Sequence, residues 1–151
     1  MESLVPVMAG ALIAIVGGLI FRRVEADQQR RHWFRDQLRL ASEQFLSDAS
    51  KYLGVVRDRL RGELRDADAD RALKEHADAL AIDVARLQLV AEQSVFDEAN
   101  KVADKLSAAF KAAKKVPLGE VLGLEAAEAF DASVEAFGEM RRFAEIVKRN
   151  L

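Results

Sequence analysis

The residues from Leu4 to Phe21, LVPVMAGALIAIVGGLIF, hold no charge and no strongly polar side chain, and they sit between Glu2-Ser3 and Arg22-Arg23. As an α-helix this run rises about 27 Å, close to the ~30 Å hydrocarbon core of a bilayer. A secretory signal peptide would need a basic n-region and small residues at a cleavage site. This chain instead begins Met1-Glu2-Ser3, and the run closes on Ile20-Phe21-Arg22-Arg23. An interfacial helix would need a polar face, and a helix packed on a soluble core would show one too, whereas here every face is apolar. The expected element is a membrane-spanning helix over residues 1–23.

Charge orients it. Arg22, Arg23, Arg30, Arg31, Arg35 and Arg39 follow the run, against Glu25, Asp27 and Asp36, while only Glu2 precedes it. The positive-inside bias then places the N-terminus outside the cell (inner) membrane and the rest of the chain in the cytoplasm. Absence of cysteine agrees with a reducing compartment. Inside the run, Gly10, Ala14 and Gly18 recur every four residues, a stripe on which another membrane helix can pack closely. Arg22 and Arg23 can reach lipid phosphates. Arg30, Arg31, Trp33, Phe34 and Arg35 form a second cluster for lipid or partner contact, since Trp and Arg are enriched where proteins meet.

Beyond the run the chain is rich in Ala, Leu, Glu, Arg and Lys, all good helix formers, with two prolines in total and no strand-like alternation. Apolar residues recur at steps of three and four: Phe34, Leu38, Ala41, Phe45, Ala49, Tyr52, Val56, Leu60 and Leu64 make one stripe. A second comprises Leu73, Ala77, Leu80, Val84, Leu87 and Ala91, widened by Ile82, Leu89 and Val90. A third comprises Phe96, Ala99, Val102, Ala103, Leu106, Phe110 and Ala113. The last comprises Ala127, Phe130, Val134, Phe137, Met140, Ala144 and Val147. The pattern predicts helices over about 24–65, 70–91, 94–115 and 124–150, the first continuous with the span. Asp68 or Asp70 is the expected N-cap of the second helix and Ser94 that of the third. Short connections make this an all-α protein whose cytoplasmic part, residues 24–151, is an antiparallel four-helix bundle. The segment Val116–Gly123 is the one loop marked by Pro and Gly, with Leu118, Val121 and Leu122 expected to fold back over the bundle end.

No residue pattern points to catalysis. Asp66, Asp68 and Asp70 alternate as in a calcium loop, but Arg71 and Ala77 occupy the positions where such a loop needs Gly and Glu. His32 and His76 lack metal-ligand spacing, and no phosphate-binding or nucleophile-elbow motif occurs. Residues 40–151 are mildly acidic, which argues against nucleic acid as partner. Neither a cofactor, a metal nor a small-molecule substrate is expected, and no family motif is present. The reading is a non-enzymatic, membrane-anchored scaffold, regulator or accessory subunit, as a homo-oligomer or part of a membrane complex. Two alternatives share the helices: a self-assembling membrane effector of holin-like or defence type, bacterial or phage, and a soluble bundle with a buried first helix.

Overall fold

A computed structural model describes the backbone of residues 4–117 and 123–151, and the side chains from residue 28 onward within those limits. Among the described residues every regular element is helical: α1 (Leu4–Leu60), α2 (Asp66–Val90), α3 (Gln93–Lys115) and α4 (Leu124–Asn150). The chain divides into two compact units, one ending at Asp36 and one beginning at Gln37. No helix is long and apolar enough to cross a membrane among the residues whose side chains are described. The side chains of Leu4–Phe21, and with them Gly10, Ala14, Gly18, Arg22 and Arg23, lie outside those residues, as do Leu118, Val121 and Leu122.

The second unit is a four-helix bundle. Phe45 of α1 meets Phe143 of α4 edge-on at 5.0 Å between ring centroids. Asp48 of α1 faces Asp83 of α2, Lys114 of α3 reaches Asp70 of α2 at 3.1 Å, and Lys105 of α3 reaches Glu135 of α4 at 2.7 Å. These contacts order the helices as a ring, each antiparallel to the next. The core is built from Leu38, Phe45, Ala49, Tyr52 and Val56 of α1, Leu73, Leu80 and Leu87 of α2, Val95, Val102 and Leu106 of α3, and Met140, Phe143 and Val147 of α4. Burial of these side chains, at roughly 25 cal/mol per Å² of apolar surface, is the main stabilising term.

Several boundaries differ from the periodicity. The first helix stops at Leu60 and does not continue to Arg65, because Gly62 takes a positive φ of 75°. The Gly62 amide bonds back to the Arg59 carbonyl and the Glu63 amide to the Asp58 carbonyl. This paired arrangement satisfies carbonyls left free by the last turn and requires a left-handed residue. Gly62, which the predicted helix over 24–65 includes, is therefore the terminator of α1. Helix α2 begins at Asp66, four residues early, so Asp66 and Asp68 lie in its first turn, where the helix dipole favours negative charge. Neither expected aspartate caps it; Arg65 holds the N-cap position without a side-chain hydrogen bond. Ser94 likewise lies inside α3, whose N-cap is Glu92.

The α1–α2 turn is locked by Arg59. Its guanidinium is buried among the α3 C-terminal carbonyls, donating to the oxygens of Ala113, Lys114 and Val116, and it pairs with Asp66 at 2.8 Å. One side chain thus ties the end of α1, the start of α2 and the end of α3, and satisfies carbonyls that helix geometry leaves open. Replacing Gly62 with Ala should destabilise the fold by about 1–2 kcal/mol, read as a lower urea midpoint with unchanged slope. An unchanged midpoint would mean that the left-handed turn is not required.

Candidate functional site

Helix α4 carries two apolar faces, and only one of them is in the core. Ala129, Ala136, Met140, Phe143 and Val147 point inward, while Phe130, Val134 and Phe137, expected in the core, are 65%, 54% and 53% exposed. The signal that misled is size. Alanines at buried positions (Ala99, Ala109 and Ala113 on α3, Ala129 and Ala136 on α4) let two helix backbones approach, so the α3–α4 contact selects the alanine face of α4. The phenylalanines then fall on the flank toward α1. On α1 the facing positions are Ser50, Leu53, Gly54, Arg57 and Leu60, several of them small.

The result is a groove of about 410 Å³ between α1 and α4, lined by those residues and by Phe130, Ser133, Val134, Phe137 and Met140. It lies beyond the Phe45–Phe143 contact, toward the α1–α2 turn. Its chemistry is that of a receptor for hydrophobic side chains. The two serines are not poised as nucleophiles, because Ser50 donates to the Leu46 carbonyl at 2.8 Å and Ser133 to the Ala129 carbonyl at 2.9 Å. Arg57 bonds Asp58 at 3.2 Å and lies at the rim.

The ionisable groups of the interior lie elsewhere. Asp48, Asp83 and Glu98 are buried. Asp83 is pushed up to about 6 by burial first and then by the Asp48 carboxylate facing it, opposed by Arg86 and Lys51. Asp48 is held below the usual range by hydrogen bonds from Lys51 and Gln44. Glu98 is likewise held down, by Lys101 at 2.9 Å and, at longer range, Arg142, with Glu139 beside it. Each carboxylate has its own cation, and no group of three metal-ligating side chains occurs among the described residues.

Of the residues expected to carry contacts, Arg30, Arg31, Trp33, Phe34 and Arg35 belong to the first unit and are all exposed. Phe34 does not pack inward. It is 42% exposed and stands edge-on to Trp33, itself 54% exposed, at 5.0 Å. Two adjacent aromatics about 100° apart on a helix thus pack on each other. Of the groove residues, periodicity assigns Leu60, Phe130, Val134, Phe137 and Met140 to the core, and the three α4 residues Phe130, Val134 and Phe137 are the ones left exposed. The one warning in the sequence was that α4 has more apolar positions than a single stripe needs. No protein-family model matches this chain, and no curated protein or solved structure matches it.

The Asp48–Asp83 pair sets a pH dependence. Asp83 binds its proton more tightly folded than unfolded, so its contribution is full below about pH 4 and is lost as pH rises toward about 6. Asp48 and Glu98 act in the opposite sense, losing their contribution as pH falls below about 4. Asp83→Asn should raise stability at pH 7 by about 1–3 kcal/mol and flatten the melting temperature between pH 4 and 6. A variant that keeps the wild-type slope there would assign the titration to another group.

Proposed function

We propose that this chain is a non-enzymatic, single-pass membrane-anchored helical protein that works as a scaffold, regulator or accessory subunit through helix–helix contacts. The observation that carries the reading is the charge-free run Leu4–Phe21 ending abruptly in Arg22-Arg23. Such a run belongs in hydrocarbon, and the arginines favour the phosphate layer on the cytoplasmic side. Trp33, Phe34 and the arginines around them then offer an exposed aromatic and cationic surface near the membrane. Farther along the chain, the α1–α4 groove offers an apolar receptor. A bundle whose buried carboxylates are paired with lysine and arginine, and whose groove serines are engaged with backbone, supports binding over catalysis. A small-residue stripe at Gly10, Ala14 and Gly18 gives the anchor its own packing face.

The test is extraction. Full-length protein in membranes should resist alkaline carbonate and high salt. Ile13→Asp together with Val16→Asp should release it, since an acid at the centre of a span is disfavoured by about 2.5–3.5 kcal/mol. Wild-type protein that washes off in carbonate would overturn the anchored reading and favour the soluble bundle.

A further inference from the structure

At one level of the bundle, to within a turn, every helix places an acid with a base at i+3, and the two seams use them differently. On the α3–α4 seam, Lys101 holds Glu98 at 2.9 Å, and Arg142 crosses from α4 to the same carboxylate at 3.3 Å. Lys105 and Glu135 cross the seam again at 2.7 Å. Glu139 lies beside Glu98. Cations therefore bridge these two helices.

On the α1–α2 seam the bases stay on their own helices. Lys51 donates to Asp48 Oδ1 and Gln44 to Asp48 Oδ2. Arg86, an exposed residue, reaches Asp83 Oδ1 only at 3.5 Å. Asp83 Oδ2 is buried and receives no donor from the described residues. The register of Asp70 with Lys114 brings Lys101 of α3 level with Asp83, but Lys101 is engaged with Glu98, as is Arg142 of α4. Asp83 and Asp48 thus face each other as two acceptors, with no side-chain donor between them.

We infer that the α1–α2 seam is a proton-operated latch, closed while Asp83 and Asp48 share one proton and opened when that proton leaves. A proton on Asp83 supplies the donor that the seam otherwise lacks. Without it, two like charges oppose each other in a poorly solvated place. The other polar ties of α2 among the described residues, Asp66 with Arg59 and Asp70 with Lys114, lie in its first two turns. Farther along, over residues 80–90, its buried side chains are Leu80, Asp83 and Leu87. An acid thus holds one of the three positions that fasten this half of α2, and opening uncovers the two leucines. Asp83 binds its proton more tightly in the closed seam, so closure is complete below about pH 4 and is lost as pH rises through about 6. The bundle then offers an apolar face near neutral pH and hides it on acidification. This device belongs to the bundle and stands whether or not the first run spans a membrane.

The chain has no cysteine, so introduced thiols report cleanly. Leu87→Cys puts a thiol at a fully buried position of α2, Val102→Cys at one of α3, and Leu89→Cys at an exposed one. Dividing each labelling rate by that of Leu89→Cys removes the pH dependence of the thiol itself. In full-length protein in detergent, the Leu87→Cys ratio should rise about tenfold from about pH 5 to about pH 7.5. Val102→Cys should label at least about tenfold more slowly than Leu87→Cys at the higher pH, because a local opening leaves the α3–α4 seam shut. Adding Asp83→Asn, which keeps a donor facing Asp48 at every pH, should hold the Leu87→Cys ratio within about twofold over the same range. Helical circular dichroism should stay unchanged in all of these. A flat ratio without Asp83→Asn, or a rise that survives it, would overturn the latch. So would equal labelling of Leu87→Cys and Val102→Cys at both pH values, which would make the opening an unfolding of the whole bundle. Carbonate extraction reads the anchor alone, so either proposal can fail without the other.

Discussion

One buried cation organises the closed end of the bundle. Arg59 sits where α1 ends, and its guanidinium occupies the space into which the α3 carbonyls open. A desolvated charge is tolerated only with full hydrogen bonding and a counter-ion, and here the carbonyls supply the first and Asp66 the second. Satisfying that one group fixes the distance from α1 to α3 and the place where α2 begins. The tight Gly62 turn serves the same constraint, because a longer α1 would carry Asp66 away from Arg59.

At the opposite side of the ring the packing is set by size and not by charge. The alanine surfaces of α3 and α4 draw those two helices together, while Phe45 and Phe143 act as a spacer between α4 and α1. A helix cannot approach one neighbour through alanine and fill the gap to another with the same residues. The phenylalanines on the flank of α4 therefore stand beside α1 without being covered by it, and small residues of α1 leave the groove open. The groove is thus a consequence of how α4 partitions its side chains among its neighbours.

The polar interior has its own logic. Asp48 and Asp83 share a buried boundary between α1 and α2, where burial first and the facing Asp48 carboxylate second raise Asp83 to about 6. Glu98 is buried too, but with Lys101 and Arg142 beside it stays charged. Asp83 and Glu98, on different walls of the bundle, thus shift in opposite directions. Each site holds two cations; the difference is that burial dominates at Asp83, whereas the hydrogen bond from Lys101 dominates at Glu98.

Much of the fold was legible in the residues. Steps of three and four placed four helices, Pro117 and Gly123 bracketed the last connection, and the charge-free run Leu4–Phe21 is plain without any structure. Helix boundaries were less legible, since Gly62 looks the same inside a helix as at its end until its amide finds the Arg59 carbonyl. The groove was illegible for a stronger reason. Periodicity marks which residues are apolar, but Phe130, Val134 and Phe137 share α4 with a second set that alanine packing preferred. Burial of Asp83 and Arg59 was hidden likewise, because a charge enters the interior only where other helices bring it partners. The sequence by itself determined the helices and their apolar surfaces, which depend on neighbours along the chain. Only the tertiary structure decided which apolar face was covered and which charges were enclosed, because both depend on distances between helices.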